Sequence, residues 1–245
     1  MWGVNYYADG FQVKSGVYAR PVAVEELERV TARFVRGLEE TADQVARDGD
    51  GLFAVDWEDI FEASPEIYEN LSREFPFLAR RDRVPKKMFF SRLFSAMNFT
   101  GFYSPYTGES SLNVDSPACL LPANIAHELA HQRGIASEQE CNFLAIAAAT
   151  SSEDPVYQYS GYLMGYIHLS NALYRADPAR WERTCGDLPE TVRADLRYHS
   201  AYWDQFEGLT AKVSKAVYDS ALKSYGQTDG IQSYGTVVDL LTAYY

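Results

Sequence analysis

Residues 127–145 read HELAHQRGIASEQECNFLA, a stretch that places two histidines four residues apart. A helix advances about 100° per residue, so His127 and His131 lie on one helical face about one turn apart. Two imidazoles at that spacing can bind a single metal ion. Pro122 favours a helix start just before the motif, and Gly134 favours a stop just after it. The stretch therefore predicts a short helix with a metal-binding face.

Glu128 lies beside this face, where its carboxylate can reach a water molecule bound to the metal. Zinc lowers the pKa of such a water towards about 7, so a carboxylate can take its proton and later deliver it to a leaving amine. The residues that flank the motif are apolar: Ile125, Ala126, Leu129 and Ala130. We therefore expect a buried helix, in which both histidines need partners. The motif predicts Zn²⁺ as cofactor and Glu128 as a catalytic residue; an exposed helix with merely polar histidines is the alternative.

A catalytic zinc site needs a third protein ligand, which Glu138 or Glu140 can supply. A backbone reversal at Gly134, followed by a new helix from Ser137, would return both acids towards the histidines. Glu138 shares a helical face with Asn142, which can hydrogen-bond a ligating side chain, whereas Glu140 points about 160° away from Glu138. We favour Glu138 as the ligand and keep Glu140 as the alternative ligand. A further interpretation is that both acids only cap the second helix.

The composition excludes several classes of protein. A chain of 245 residues suits one domain with a full core, and 34 Asp and Glu against 22 Lys and Arg give a net charge of −12. A surface of that sign repels phosphate backbones, so we expect no nucleic-acid partner. The three cysteines form no C-x-x-C pair, and no apolar run reaches the roughly 18 residues of a membrane span. A thiolate metal cluster and a membrane span within these residues are therefore excluded.

The patterning predicts a single α+β domain that is mostly helical. Residues 1–83 form an N-terminal helical part, with one amphipathic helix within 21–51. A second helical stretch is expected to begin within 54–78, where Ser64 would cap a helix that has Pro65 at its first position. Residues 84–150 hold the strands and the H-E-x-x-H helix, and residues 151–245 return to helical periodicity. No biased linker separates these parts, so we expect one domain over 1–245.

A small sheet is expected in residues 88–117, where aromatic and small residues alternate. Gly101, Pro105 and Gly108 suggest turns within it. The stretch 110–117, SSLNVDSP, comes just before the motif helix and is the candidate edge strand for an extended substrate. A covering hairpin explains the same residues equally well.

The motif closely resembles the signature of a bacterial family known as domain of unknown function 3810. Three further stretches resemble the same family: WGVNYY at 2–7, SRLFSAMNFTGFYSPYTGES at 91–110 and GQTDGIQSYGTVVDLLTAYY at 226–245. The resemblance implies a membrane-anchored zinc metallopeptidase of the zincin type, which acts on a polypeptide. It also implies membrane-spanning helices upstream of this sequence, and hence a domain at the bacterial cell membrane on the extracytoplasmic side.

Weaker expectations concern a few other positions. The oxyanion formed in peptide hydrolysis needs a donor besides zinc, for which Tyr234 is the first candidate, followed by Tyr103 and His168. Each of these is alternatively a packed structural residue. Cys141 is expected to be a small core residue rather than a ligand. The basic stretch 79–87, ARRDRVPKK, is expected to be a solvated loop, with contact to anionic lipid as the alternative.

We therefore expect a zinc-dependent metallopeptidase with metal ligands His127, His131 and Glu138, in which Glu128 is first general base and then general acid. Two other functions fit the same residues. One is a non-catalytic envelope module that binds peptide or a partner protein around a structural metal. The other is a zinc hydrolase of a non-peptide amide, such as a cell-wall substrate.

Overall fold

Helices make up most of the fold, as the sequence predicts. The structure is a computed structural model, and it describes residues 9–104, 106–206 and 234–245. The helices in these ranges are α1 (Phe11–Ser15), α2 (Val24–Thr41), α3 (Trp57–Ala63), α4 (Glu69–Glu74), α5 (Ser91–Ala96), α6 (Leu121–Gln132), α7 (Glu138–Ser151), α8 (Pro155–Ala176), α9 (Pro178–Cys185), α10 (Glu190–Asp204) and α11 (Tyr234–Tyr244). Among the described residues, no helix is both long enough and apolar enough to cross a membrane.

A small three-stranded sheet completes the α+β fold. Its strands are β1 (Lys86–Lys87), β2 (Gly101–Ser104) and β3 (Glu109–Leu112), in the order β1-β3-β2. β3 runs parallel to β1 and antiparallel to β2, so that Gly101 lies opposite Leu112. All three strands lie within residues 84–150, where the sequence predicts them.

The prediction that residues 110–117 form the edge strand for a substrate is wrong. β3 occupies the centre of the sheet, because it pairs with β2 along its length and with β1 at Ser111 and Leu112. A central strand has too few unpaired backbone groups to accept an extended peptide, whereas an edge strand keeps a free row of them. β2 is an edge strand of the described sheet, and it begins at Gly101, which the sequence suggested was a turn.

Two expectations about these segments also need correction. The stretch 54–78 forms α3 and α4, and Ser64–Glu66 form a 3₁₀ turn between them rather than the start of an α-helix. The hydroxyl of Ser64 has no hydrogen-bond partner among the described residues, so it does not act as a cap. Pro65 lacks the amide hydrogen that a continuous helix would need at that point. Within 88–117, residues Ser91–Ala96 form α5 instead of a strand.

α7 is the central helix of the core. Residues 143–149 are all buried, and a helix that is apolar on every side belongs in a protein interior. Neighbouring helices approach it closely, since a Cβ on Gly161 of α8 would lie only 2.7 Å from the Cβ of Ala149. α2 approaches α8 in the same way, since a Cβ on Gly165 would lie 2.1 Å from a ring carbon of Phe34. This packing fixes α7 and therefore the acidic half of the motif.

A buried ion pair fixes the end of α6. Arg133 follows α6 directly, and its two terminal nitrogens donate to the carboxylate of Asp82 at 2.8 and 2.7 Å. The two side chains are only 2% and 1% exposed. Arg133 also donates from Nε to the carbonyl of Leu78 at 2.9 Å, and its guanidinium lies 3.7 Å from the ring centre of Tyr68. The motif helix is thus tied to the preceding chain at its C-terminal end.

We expect the variant Arg133→Met to lower the free energy of unfolding by about 3–5 kcal/mol, because it leaves the Asp82 carboxylate buried without its partner. The matched control is Arg73→Met, which breaks the Arg73–Glu69 pair on α4, where both side chains are more than 60% exposed. That exposed pair contributes less than about 1 kcal/mol. Urea denaturation of both variants measures the difference, and equal small losses would contradict this role of Arg133.

Candidate metal centre

A tight turn between α6 and α7 brings the acidic half of the motif back to its histidines. Gly134 has a φ of 82°, in the left-handed region that favours glycine, so the chain reverses there. Ser137 then caps α7, with its hydroxyl oxygen accepting the backbone N–H of Glu140 at 3.4 Å. Glu138 is consequently the first residue of α7 and faces the C-terminal half of α6.

Three side chains converge at this point: His127, His131 and Glu138. Nε2 of His127 lies 3.1 Å from Oε2 of Glu138, and Nε2 of His131 lies 3.5 Å from Oε1 of Glu138. The three potential ligand atoms all lie within 4.8 Å of one another. Two ligands at about 2.0–2.2 Å from a tetrahedral zinc ion lie about 3.3–3.6 Å apart. The donor types and the two distances from Glu138 to the imidazoles therefore fit a zinc ion held by two imidazoles and one carboxylate.

The other ring nitrogens fix the orientation of both imidazoles. Nδ1 of His127 lies 2.8 Å from Oδ1 of Asn142, and Nδ1 of His131 lies 2.9 Å from the backbone carbonyl of Ile135. Both partners are oxygen acceptors, so each Nδ1 carries a hydrogen. Each Nε2 therefore faces Glu138, where it can donate a proton to the carboxylate or, once deprotonated, bind a metal ion. Asn142 thus makes the contact with a candidate ligand that its position, four residues after Glu138, predicts.

Cys141 contacts His131 on the side of the ring that faces away from Glu138, a contact that the sequence interpretation missed. Its Sγ lies 3.4 Å from Nδ1 of His131 and 3.5 Å from the carbonyl of Ile135. It therefore lies on the side of the ring opposite Nε2 and is not one of the converging ligand atoms. Burial raises the pKa of the Cys141 thiol to about 11, which keeps it protonated. The relevant pattern was present, since Glu138, Cys141 and Asn142 occupy positions i, i+3 and i+4 of one helical face.

Glu138 and Glu128, the two acids of the site, have pKa values that are shifted in opposite directions. Burial raises the pKa of Glu138, but hydrogen bonds to His127 and His131 outweigh it and hold the pKa well below its usual range. Burial raises the pKa of Glu128, which is 5% exposed. Oε2 of Glu128 is buried and has no hydrogen-bond partner among the described residues. A carboxylate oxygen left unpaired in a protein interior is costly, and a role in chemistry is one explanation of such a group.

Gly101 provides the space for the Glu128 side chain. A Cβ at this position would lie 2.8 Å from Oε1 of Glu128 and 2.9 Å from Leu112. The face of the sheet that packs on α6 also carries Ser110, whose hydroxyl accepts a hydrogen bond from Nε2 of Gln132 at 2.8 Å. Edge strand β2 therefore lies directly beside Glu128. The sequence interpretation missed this contact, since a lone glycine among aromatic residues reads as a turn.

Glu140, the alternative ligand, lies away from the centre. Its carboxylate accepts hydrogen bonds from the backbone N–H of Phe11 at 2.8 Å, and from the backbone N–H and Nε2 of Gln12 at 3.2 and 3.3 Å. Its position, two residues after Glu138, turns it to the other side of α7. Glu140 therefore anchors α1 to α7 and does not face the histidines, which corrects its assignment as an alternative ligand.

The remaining candidates are distributed over the fold. Tyr234 begins α11, but its side chain lies outside the described residues. Tyr103 lies on β2, two residues after Gly101, and so on the same face of the sheet as that glycine. His168 lies on α8, where burial lowers its pKa to about 4, and His199 on α10 accepts a hydrogen bond from Trp203 at 3.0 Å. Neither of these histidines belongs to the cluster of converging side chains.

Replacing Glu138 and Glu140 by glutamine, one at a time, distinguishes the metal ligand from the structural residue. Glu138→Gln should weaken zinc binding by at least about 100-fold, because it removes the charged ligand. Glu140→Gln should leave zinc binding unchanged but lower the free energy of unfolding by about 1–3 kcal/mol, because an amide satisfies fewer of the three donors. Competition with a chromophoric zinc chelator and urea denaturation measure the two effects. Loss of zinc binding in Glu140→Gln alone would reverse the assignment.

One of the comparisons with known proteins gives a match. The sequence profile of a family described as Protein of unknown function (DUF3810) matches residues 1–242. No curated protein and no solved structure matches the chain. Since the match covers nearly the whole length, the chain belongs to the DUF3810 family.

Proposed function

We propose that the protein is a zinc-dependent metallopeptidase of the zincin type. The observation that carries this proposal is the convergence of His127, His131 and Glu138 beside a buried carboxylate, Glu128, whose Oε2 has no partner among the described residues. A purely structural metal site has no need of such a carboxylate. Among the described residues three protein ligands converge rather than four, which also favours a catalytic site, because catalytic zinc keeps one position open.

The proposed ligands hold the metal with atoms that the fold already orients. Nε2 of His127, Nε2 of His131 and the Glu138 carboxylate would bind zinc. When bound, zinc polarises the carbonyl of the scissile bond and lowers the pKa of water near it. Asn142 and the carbonyl of Ile135 keep both rings in the required tautomer, so no rotation is needed for binding.

Glu128 is the proton carrier of the proposed reaction. Its carboxylate takes a proton from the attacking water and later delivers it to the nitrogen of the leaving amine. Burial helps, because it raises the pKa of the carboxylate above the ordinary value and makes it a stronger base. Gly101 keeps the space that this side chain occupies against β2.

We infer a polypeptide substrate from the free edge of β2. Within the described sheet, Gly101–Ser104 pair only with β3, so the other edge of β2 can accept an extended chain. Because Gly101 lies against Glu128, a peptide added to β2 would pass close to the carboxylate. Tyr103, on the same face of β2, is the described candidate for stabilising the oxyanion.

We also propose, from the resemblance of residues 2–7 to the segment that follows the membrane-spanning helices in the family, that the domain works at the bacterial cell membrane on the extracytoplasmic side. The anchor would lie upstream of this sequence.

The variant Glu128→Gln tests the proposal. It should retain zinc in full, because Glu128 is not a ligand, and lose peptide hydrolysis by about 100- to 10,000-fold. Activity on a peptide library, with zinc content measured in parallel, provides both readouts. The matched control is Glu153→Gln, at an exposed glutamate, which should retain full activity. Full activity of Glu128→Gln, or no hydrolysis of any peptide by the zinc-loaded protein, would contradict the proposed function.

A further inference from the structure

A basic and aromatic surface lies on the segment before β2. From Asp82 to Ser91 every third residue is buried, and each buried residue is followed by two exposed ones. The exposed residues define what we call the Phe89 surface: Arg81, Arg83, Val84, Lys86, Lys87, Phe89, Phe90, Arg92 and Leu93. The buried residues hold this segment to the fold, so its exposed side chains have a fixed backbone beneath them.

The apolar part of this surface protrudes into solvent. Phe89, Phe90 and Leu93 are 91%, 61% and 58% exposed. The rings of Phe89 and Phe90 lie 4.8 Å apart, and the backbone N–H of Leu93 donates to the carbonyl of Phe90 at 2.9 Å, so these side chains are neighbours. Clustered exposed apolar residues mark an interaction site more often than isolated ones do.

The charged part of the surface is opposite in sign to the rest of the chain. Residues 80–93 carry six Lys and Arg and one Asp, in a chain whose net charge is −12. That single acid, Asp82, is buried in its pair with Arg133. Lys86 pairs with Glu109, and Arg92 pairs with Asp115. Among the described residues no ion pair compensates the other cations of the Phe89 surface, Arg81, Arg83 and Lys87, so the surface keeps an excess of positive charge.

We propose that the Phe89 surface binds the surface of a lipid bilayer that contains anionic phospholipid. Phe89, Phe90 and Leu93 enter the boundary between headgroups and acyl chains, while the cations contact headgroup phosphates. The charge distribution favours this occupant over a symmetric dimer through the Phe89 surface, because two such surfaces would bring like charges together. The shape favours it as well, since the apolar side chains project outwards rather than line a groove for a peptide.

Docking would bring the candidate metal centre towards the bilayer. Phe102 alternates with Gly101 along β2, so it faces away from α6, and its ring stacks on Phe94 of α5 with centroids 6.3 Å apart. Phe102 is 41% exposed and extends the apolar surface over the outer face of the sheet. The inner face of the same sheet lies against Glu128. Lipid binding needs no metal, so this inference stands apart from the proposed function.

Vesicle sedimentation tests the proposal. The full chain should bind vesicles of equal amounts of phosphatidylglycerol and phosphatidylcholine, bind pure phosphatidylcholine more weakly, and lose binding as salt increases. The triple variant Phe89→Ser, Phe90→Ser, Leu93→Ser should weaken binding at least about tenfold. A second triple variant, with Arg81, Arg83 and Lys87 changed to Gln, should weaken it to a similar extent.

A matched control carries Val13→Ser, Tyr18→Ser and Tyr174→Ser, three substitutions at side chains that are 55–56% exposed elsewhere on the fold. It should bind vesicles like the unchanged chain. All the substitutions replace exposed side chains, so the variants should fold, and circular dichroism checks this directly.

Depth of insertion provides a second measurement. The unchanged chain has four tryptophans, so each variant is measured against it. The fluorescence that Phe89→Trp adds should be quenched by lipids brominated on their acyl chains, whereas the fluorescence that Tyr174→Trp adds should not. Absence of binding to anionic vesicles, or equal binding by the Phe89 triple variant, would overturn the proposal. Loss of a dimer in the Phe89 triple variant, seen by sedimentation velocity without any lipid, would also overturn it in favour of a contact between copies.

Discussion

The contact of the Glu138 carboxylate with two imidazoles is the constraint on which the rest of the site depends. His131 is 8% exposed and Glu128 is 5% exposed, so the motif helix carries ionisable groups into the interior. Burying such groups costs several kcal/mol each unless they are paired. The left-handed turn at Gly134 brings Glu138 to the histidines. The start of α7 then provides the partners that the motif helix lacks. Glu138 places its carboxylate beside Nε2 of each ring, and Asn142 provides a hydrogen-bond acceptor for Nδ1 of His127.

Contacts remote from the centre hold the two helices in register. Glu140, on the opposite side of α7 from Glu138, accepts three hydrogen bonds from Phe11 and Gln12 and so joins the N-terminal part of the described chain to the core. Arg133 holds the C-terminal end of the motif helix, α6, through an ion pair with Asp82 that is almost fully buried. The geometry of the candidate ligands is thus maintained by polar contacts that do not themselves touch the metal. Such supporting contacts matter because a ligand set has to be fixed to within a few tenths of an ångström.

The parts of the site that follow from helix periodicity could be predicted from sequence, and the parts that depend on distant contacts could not. His127, His131, Glu138 and Asn142 all lie in one short stretch, where spacing alone decides which side chains share a face. The partner of Glu140 lies 129 residues away at Phe11, and no local pattern indicates it. The central position of β3 depends on β1, a strand of only two residues that propensity cannot detect.

The proposed active site consists of a zinc centre on α6 and α7 and a substrate edge on β2. X-ray absorption at the zinc edge, on protein purified under zinc-replete conditions, tests whether the zinc centre exists. We predict one zinc ion per chain, with two imidazole nitrogens and one carboxylate at about 2.0–2.2 Å and no sulfur ligand. A sulfur ligand at about 2.3 Å would instead indicate that Cys141 binds the metal, and a protein without zinc would contradict the proposed centre altogether.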